Sequence, residues 1–321
     1  MSVHEGGLNL RGGSSAGAYA QIGHGGFNAT SAPITNGDIR IDFCEAADLS
    51  LTGGGVNSYA QIGSGGRSYS SDLSGVIALT GSVKTASFQG GSGSASYAQL
   101  GHGGAGAAGT KFADLSLDAE QVILRGGAGS SAYAMIGLGG DTGSGAATGS
   151  VIVKSSARDL ELTGGGGTFA SAQIGHGGLG YVGTLSGDIS VRVPTATAAL
   201  KGGSASNAYT QVGHGGNSAN GAKSGSVTLS AQDVRLSGGS AFGTSAIVGH
   251  GGVSNRGNAT GVVSVTSTVG DVSLEASSGR ASITQIGHGG FAYSGNISDQ
   301  AVSVTSAGAL LLKGGSGTQA S

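Results

Sequence analysis

The stretch AYAQIGHGG, Ala18 to Gly26, decides the reading, because it returns almost unchanged as SYAQLGHGG from Ser96 to Gly104. Eight copies align on the Gly that follows Ile, Leu or Val: Gly23, Gly63, Gly101, Gly137, Gly175, Gly213, Gly249 and Gly287. The steps between them are 40, 38, 36, 38, 38, 36 and 38 residues. A period this regular marks an array of like units, so residues 1–321 are read as one repeat domain.

Working outward from the motif, each unit carries two further strand signals. One is an alternating run after a Gly, as in GDIRIDF (Gly37 to Phe43) and GDISVRV (Gly187 to Val193). The other ends in Gly-Gly, as in DLSLTGG (Asp48 to Gly54), DLELTGG (Asp159 to Gly165) and DVRLSGG (Asp233 to Gly239). Period-two alternation of Val, Ile and Leu between Gly, Ser and Asp is the pattern of half-buried strands. No segment carries a 3.6-residue period with caps, so the chain is expected to be all-β.

One unit offers too few inward side chains to offset a backbone ordering cost of about 1–2 kcal/mol per residue. Stacking like units makes the core continuous, which is the logic of a parallel β-solenoid. Spacing within the unit divides 38 residues into two turns of about 19. We therefore expect about sixteen turns, a rod of roughly 75 Å at about 4.8 Å per turn. The alternative is one wide turn per repeat.

Composition sets limits on function. The 321 residues include 69 Gly, 2 Pro, one Cys and no Trp, with 15 Lys and Arg against 17 Asp and Glu. Sparse, balanced charge gives no nucleic-acid surface and no polybasic membrane patch. Cys44 has no intrachain partner, so no disulfide is expected. No long apolar run suggests membrane insertion, and MSVHEGGLNLRGG lacks the basic and apolar regions of an export signal. The ending LLLKGGSGTQAS stops where another motif copy is due, which favours a piece of a longer exported protein.

Three columns of side chains invite a site reading. His recurs at His24, His102, His176, His214, His250 and His288, with Ser64 and Leu138 in the other copies. Two turns per repeat would set successive imidazoles about 9.6 Å apart, too far to share an ion, so we expect structural corner residues and no metal. Tyr19, Tyr59, Tyr97, Tyr133 and Tyr209 share strand parity with Gln21, Gln61, Gln99, Gln173 and Gln211. Ala and Ile hold the opposite parity, so the Tyr/Gln stripe is expected to face outward. It is read first as surface packing and second as a carbohydrate-binding face.

Asp38, Asp48, Asp159, Asp188, Asp233 and Asp271 precede strands and are read as turn residues whose carboxylates cap local backbone donors. They are spread along the chain, whereas a solenoid hydrolase concentrates its carboxylates on adjacent turns. A calcium β-roll is disfavoured because GGSGSASYA (Gly90 to Ala98) lacks the Asp of that repeat. An ice-binding Thr array is disfavoured because Thr52 and Thr163 align with Arg11, Arg125 and Lys201. A corner repeated eight times builds no asymmetric catalytic constellation, so no catalytic residue, cofactor or enzymatic activity is expected.

At DLSLTGG, DVRLSGG and AYAQIGHGG the chain resembles the repeat region of large bacterial exoproteins of the filamentous haemagglutinin type. The resemblance covers essentially the whole chain. It implies a right-handed parallel β-helix exposed on a Gram-negative surface or secreted, used in adhesion to glycans or proteins of a host or neighbouring cell. The chain is thus expected to be a non-catalytic adhesin shaft. The alternatives are a carbohydrate-binding solenoid and, behind it, a polysaccharide-active β-helix enzyme. Uncapped edges near residues 1–12 and 310–321 are expected to associate end to end.

Overall fold

The computed structural model describes residues 1–4, 6–30, 33–35, 37–298 and 301–319. Every strand pairing in it is parallel, and each strand pairs with its equivalents one repeat before and after it. Tyr97, for example, lies between Tyr59 and Tyr133, and Ile189 lies between Val151 and Val227. The chain is a β-solenoid with one turn per repeat.

This corrects the expectation of two turns. The alternating run and the Gly-Gly-terminated run belong to the same wall of the same turn. In Ile39–Thr52 they form one bent strand, with register shifts between Phe43 and Leu49. The YAQIG strand forms the opposite wall, in an eight-stranded sheet from Ala20–Ile22 to Ile283–Ile286. A third, six-stranded sheet of two-residue strands runs from Leu73–Ser74 to Ala259–Thr260. Dividing the period by sequence spacing failed because these walls differ in length, and Gly-rich corners consume the remaining residues.

Inward Val, Leu and Ile stack in columns. Ile77, Leu115, Val151, Ile189, Val227 and Val263 form one, and Leu49, Ala86, Val122, Leu160, Ala198, Val234 and Val272 another, all buried. Burying each branched side chain contributes about 1.5–3 kcal/mol, and stacking apolar on apolar makes the core continuous from turn to turn. Glycine is required where turns approach most closely. Gly101 has φ +145°, and a Cβ there would overlap the carbonyl of Gly137 one turn on. The columns run out at the C-terminal end, where Leu310 and Leu312 are exposed although their partners Val272 and Leu274 are buried. Of the expected edge at 310–321, residues 320 and 321 lie outside the described residues.

Candidate functional site

The Tyr/Gln stripe lies on the strand face opposite the Ala/Ile core, but it is buried there, against expectation. Tyr59, Tyr97, Tyr133 and Tyr209 and Gln61, Gln99, Gln173 and Gln211 are all buried, and only Tyr19, on the first turn, is substantially exposed. The reason is local. The GHGG segment that follows each YAQIG strand folds back over its second face, so both faces of the strand are covered and Tyr59–Ile62 is buried at all four positions. The stripe therefore presents no open face at Tyr59, Tyr97, Tyr133 or Tyr209.

Inside, the stripe couples adjacent turns. The Tyr19, Tyr59, Tyr97 and Tyr133 rings stack at 4.7–4.8 Å with interplanar angles of 1–4°. From the second turn on, the Tyr hydroxyl donates to the Gln side-chain carbonyl of the preceding turn: Tyr59 to Gln21 (3.3 Å), Tyr97 to Gln61 (3.3 Å), Tyr133 to Gln99 (3.2 Å) and Tyr209 to Gln173 (3.3 Å). The Gln amide nitrogen donates to backbone carbonyls of the following turn. Gln61 Nε2, for instance, reaches Gly101 O at 2.9 Å and Gly103 O at 3.0 Å.

Because Gln of one turn serves Tyr of the next, the two should be lost together. Where Gln is replaced by Met135, the following Tyr is Ser171, and where it is replaced by Ile247, the following Tyr is Ile283. One junction breaks the rule, Gln211 followed by Ser245, and there the buried Gln211 Oε1 has no hydrogen-bond partner. Tyr209, Gln211, Ser245 and Ile247 leave only a gap there too small for a water molecule. The slot opened by Ser171 is filled instead by Asp141, whose buried carboxyl accepts the Leu179 N–H at 3.0 Å. Burial pushes that carboxyl up to about 8.

The His column is continuous through the last four turns. His176, His214, His250 and His288 stack at 4.6–4.8 Å between ring centroids, half the separation expected from two turns per repeat. Both ring nitrogens are engaged with backbone. Nδ1 of His102, His176, His214, His250 and His288 accepts the N–H of residues 64, 138, 176, 214 and 250 respectively, at 2.9–3.1 Å. Nε2 faces the carbonyls of Gly75, Gly149, Gly187, Gly225 and Gly261 at 2.6–3.1 Å. An Nδ1 that accepts an N–H carries no proton, so Nε2 holds the single proton and donates it. Each imidazole is a neutral clamp joining two corners. Its lone pair is already committed to a backbone donor, which disfavours metal ligation, and no two imidazoles hydrogen-bond each other. Burial holds these groups below the usual histidine range, His176 at about 4 and His250 at about 3.

The Asp residues cap backbone donors, but across turns and not locally. Asp38 accepts the Val76 N–H (2.9 Å), Asp48 that of Thr85 (3.1 Å), Asp159 that of Thr197 (2.9 Å), Asp188 that of Ser226 (2.7 Å), Asp233 that of Asp271 (3.0 Å) and Asp271 that of Ala309 (2.7 Å). The sequence reading also missed two buried lysines. Lys111 Nζ donates to the carbonyls of Ala107 (3.0 Å), Gly109 (2.8 Å) and Ser144 (2.6 Å), and Lys223 Nζ to those of Gly221 and Arg256 (both 2.8 Å). Burial lowers them to about 7 and about 8. Both stand in a column otherwise filled by Leu73, Ala147, Leu185 and Ala259, so they too replace core residues.

Among the described residues, no three His, Cys, Asp or Glu side chains are grouped to hold a metal ion, and no helix is long and apolar enough to cross a membrane. Cys44 is exposed. No family model, curated protein or solved structure matches the chain, so the likeness to haemagglutinin-type exoproteins rests on the repeat motifs alone.

Proposed function

We propose that the chain is a length of non-catalytic shaft from a bacterial surface or secreted protein of the adhesin type. One observation carries this reading: where the motif supplies Tyr, Gln, His and Asp, most of these side chains are hydrogen-bonded to a neighbouring turn and so are committed to the rod itself. Such cross-turn bonding suits a rod whose task is to hold shape and resist proteolysis and shear. The repeated corner supports a scaffold over a single reaction centre, which requires asymmetry and a supporting shell. In this reading the shaft is extracellular or on the outer-membrane surface. Contact with glycans or proteins of another cell is made by parts of the molecule other than the buried Tyr/Gln ladder.

The test is a glycan array and a polysaccharide-hydrolysis panel run on the chain alongside a protease time course at 37 °C. The shaft reading predicts no saturable glycan binding, no product release and an intact band after overnight digestion. Specific glycan capture or released oligosaccharide would replace it with one of the carbohydrate-directed alternatives.

A further inference from the structure

The two halves of the rod differ in their His column. In turns one to four it reads His24, Ser64, His102, Leu138, so any imidazole has a non-titrating neighbour on the turn beside it. In turns five to eight it reads His176, His214, His250, His288, stacked face to face at 4.6–4.8 Å. A second proton on any of these rings must go to Nδ1, where a backbone N–H already points at 3.0–3.1 Å. Protonation therefore sets donor against donor and breaks the clamp. It also places positive charges within 5 Å of each other in a buried column.

The surrounding charges do not relieve this. From the third sheet, the buried ammonium of Lys223 acts on His214 and His250 and opposes a further positive charge. Beside the large sheet, Asp114 favours a charge on His176, and Asp38 does so for His102. Asp188, through Ser226, stands to His250 as Asp114 stands to His176 through Ser150, but burial leads the effects on His250, and His288, Lys223 and His176 all oppose a charge there. On His214 and His288 burial likewise outweighs the carbonyls of Gly187 and Gly261.

We propose that turns five to eight form an acid-labile half of the rod, which opens as a unit in mildly acidic surroundings while turns one to four stay closed. A shaft with one acid-sensitive half would soften or release what it carries on entering an acidic compartment. The proposal concerns regulation and stands whether or not the shaft is an adhesin.

Hydrogen–deuterium exchange of the whole chain between pH 7 and pH 4.5, corrected for intrinsic exchange rates, tests this within one molecule. Each imidazole that gains a proton on opening raises the opening constant tenfold per pH unit. Strands Tyr209–Val212 and Ser245–Val248 should therefore lose protection by a factor of about 10⁴ per pH unit below pH 6, against about tenfold for Tyr59–Ile62 and Tyr97–Leu100. His214→Leu copies the chain's own Leu138 and should reduce the slope in the second half by one factor of ten. Equal pH dependence in both halves would overturn the proposal. So would an unchanged slope in a His214→Leu protein that is folded at pH 7. If that variant does not fold, His250→Leu serves the same purpose, and the wild-type comparison decides without either.

Discussion

Removing one hydroxyl from the interior isolates the bond between Tyr of one turn and Gln of the turn before it. In Tyr97→Phe the ring keeps both stacking partners, Tyr59 at 4.7 Å and Tyr133 at 4.8 Å, and opens no cavity beyond one oxygen. What is lost is the 3.3 Å donation to Gln61 Oε1, which stays buried while Gln61 Nε2 remains tied to Gly101 and Gly103. A stranded buried acceptor costs about 1–3 kcal/mol, and a bond this long for O–H···O belongs at the lower end, about 1–1.5 kcal/mol. Exchange of the Tyr59–Ile62 and Tyr97–Leu100 amides should quicken about tenfold at pH 7, with strands several turns away less affected. Adding Gln61→Met, the residue that Met135 supplies elsewhere, removes the stranded acceptor. The double variant should then be more stable, by about 1 kcal/mol, than the sum of the two single losses. Strictly additive single effects, or a Tyr97→Phe cost under about 0.5 kcal/mol, would refute the cross-turn coupling.

Three other predictions follow from the same geometry. Gly101→Ala puts a Cβ against the Gly137 carbonyl at φ +145°. It should cost at least about 3 kcal/mol or prevent folding, read by circular dichroism and denaturant titration. Stability should fall on acidification. His176 and His250 titrate at about 4 and about 3 when folded and near 6.5 when unfolded, so the stabilisation is complete above pH 6.5 and lost as pH falls toward those values. The two together account for about 4 kcal/mol at pH 5, measurable by denaturant midpoints at pH 7 and pH 5. Lys111→Leu, which copies Leu73 and Leu185 of the same column, should change stability by less than about 1.5 kcal/mol at pH 7. Burying an ammonium costs about what its carbonyl bonds return, so a loss above about 3 kcal/mol would show Lys111 to be a net stabiliser.

The period, the strand content and the parallel stacking were legible because each rests on hydrophobic alternation and on repetition. The number of turns was not. Strand signals give spacing along the chain but not which wall a strand joins, and the two-residue strands at Leu73–Ser74 and Lys111–Phe112 are too short to announce a third wall. The Tyr/Gln parity argument failed because alternation separates two faces without saying that the second is bare; here the GHGG corner covers it. A signal was nonetheless present. Met135, Ile247 and Ile283 are apolar residues in supposedly outward columns, and the paired losses Met135 with Ser171 and Ile247 with Ile283 tie each Gln to the Tyr one repeat later. The Asp caps were recognised as caps, but their targets lie one turn away, visible only once the period is known to equal the turn.

The separation of His176 and His214 in a crystal structure of the chain at neutral pH tests the central claim, one turn per repeat joined by internal ladders. The account predicts ring centroids 4.6 Å apart, with His214 Nδ1 within 3.0 Å of the His176 backbone nitrogen. A separation of about 9.6 Å, two strand spacings, would contradict it and with it every cross-turn bond described above.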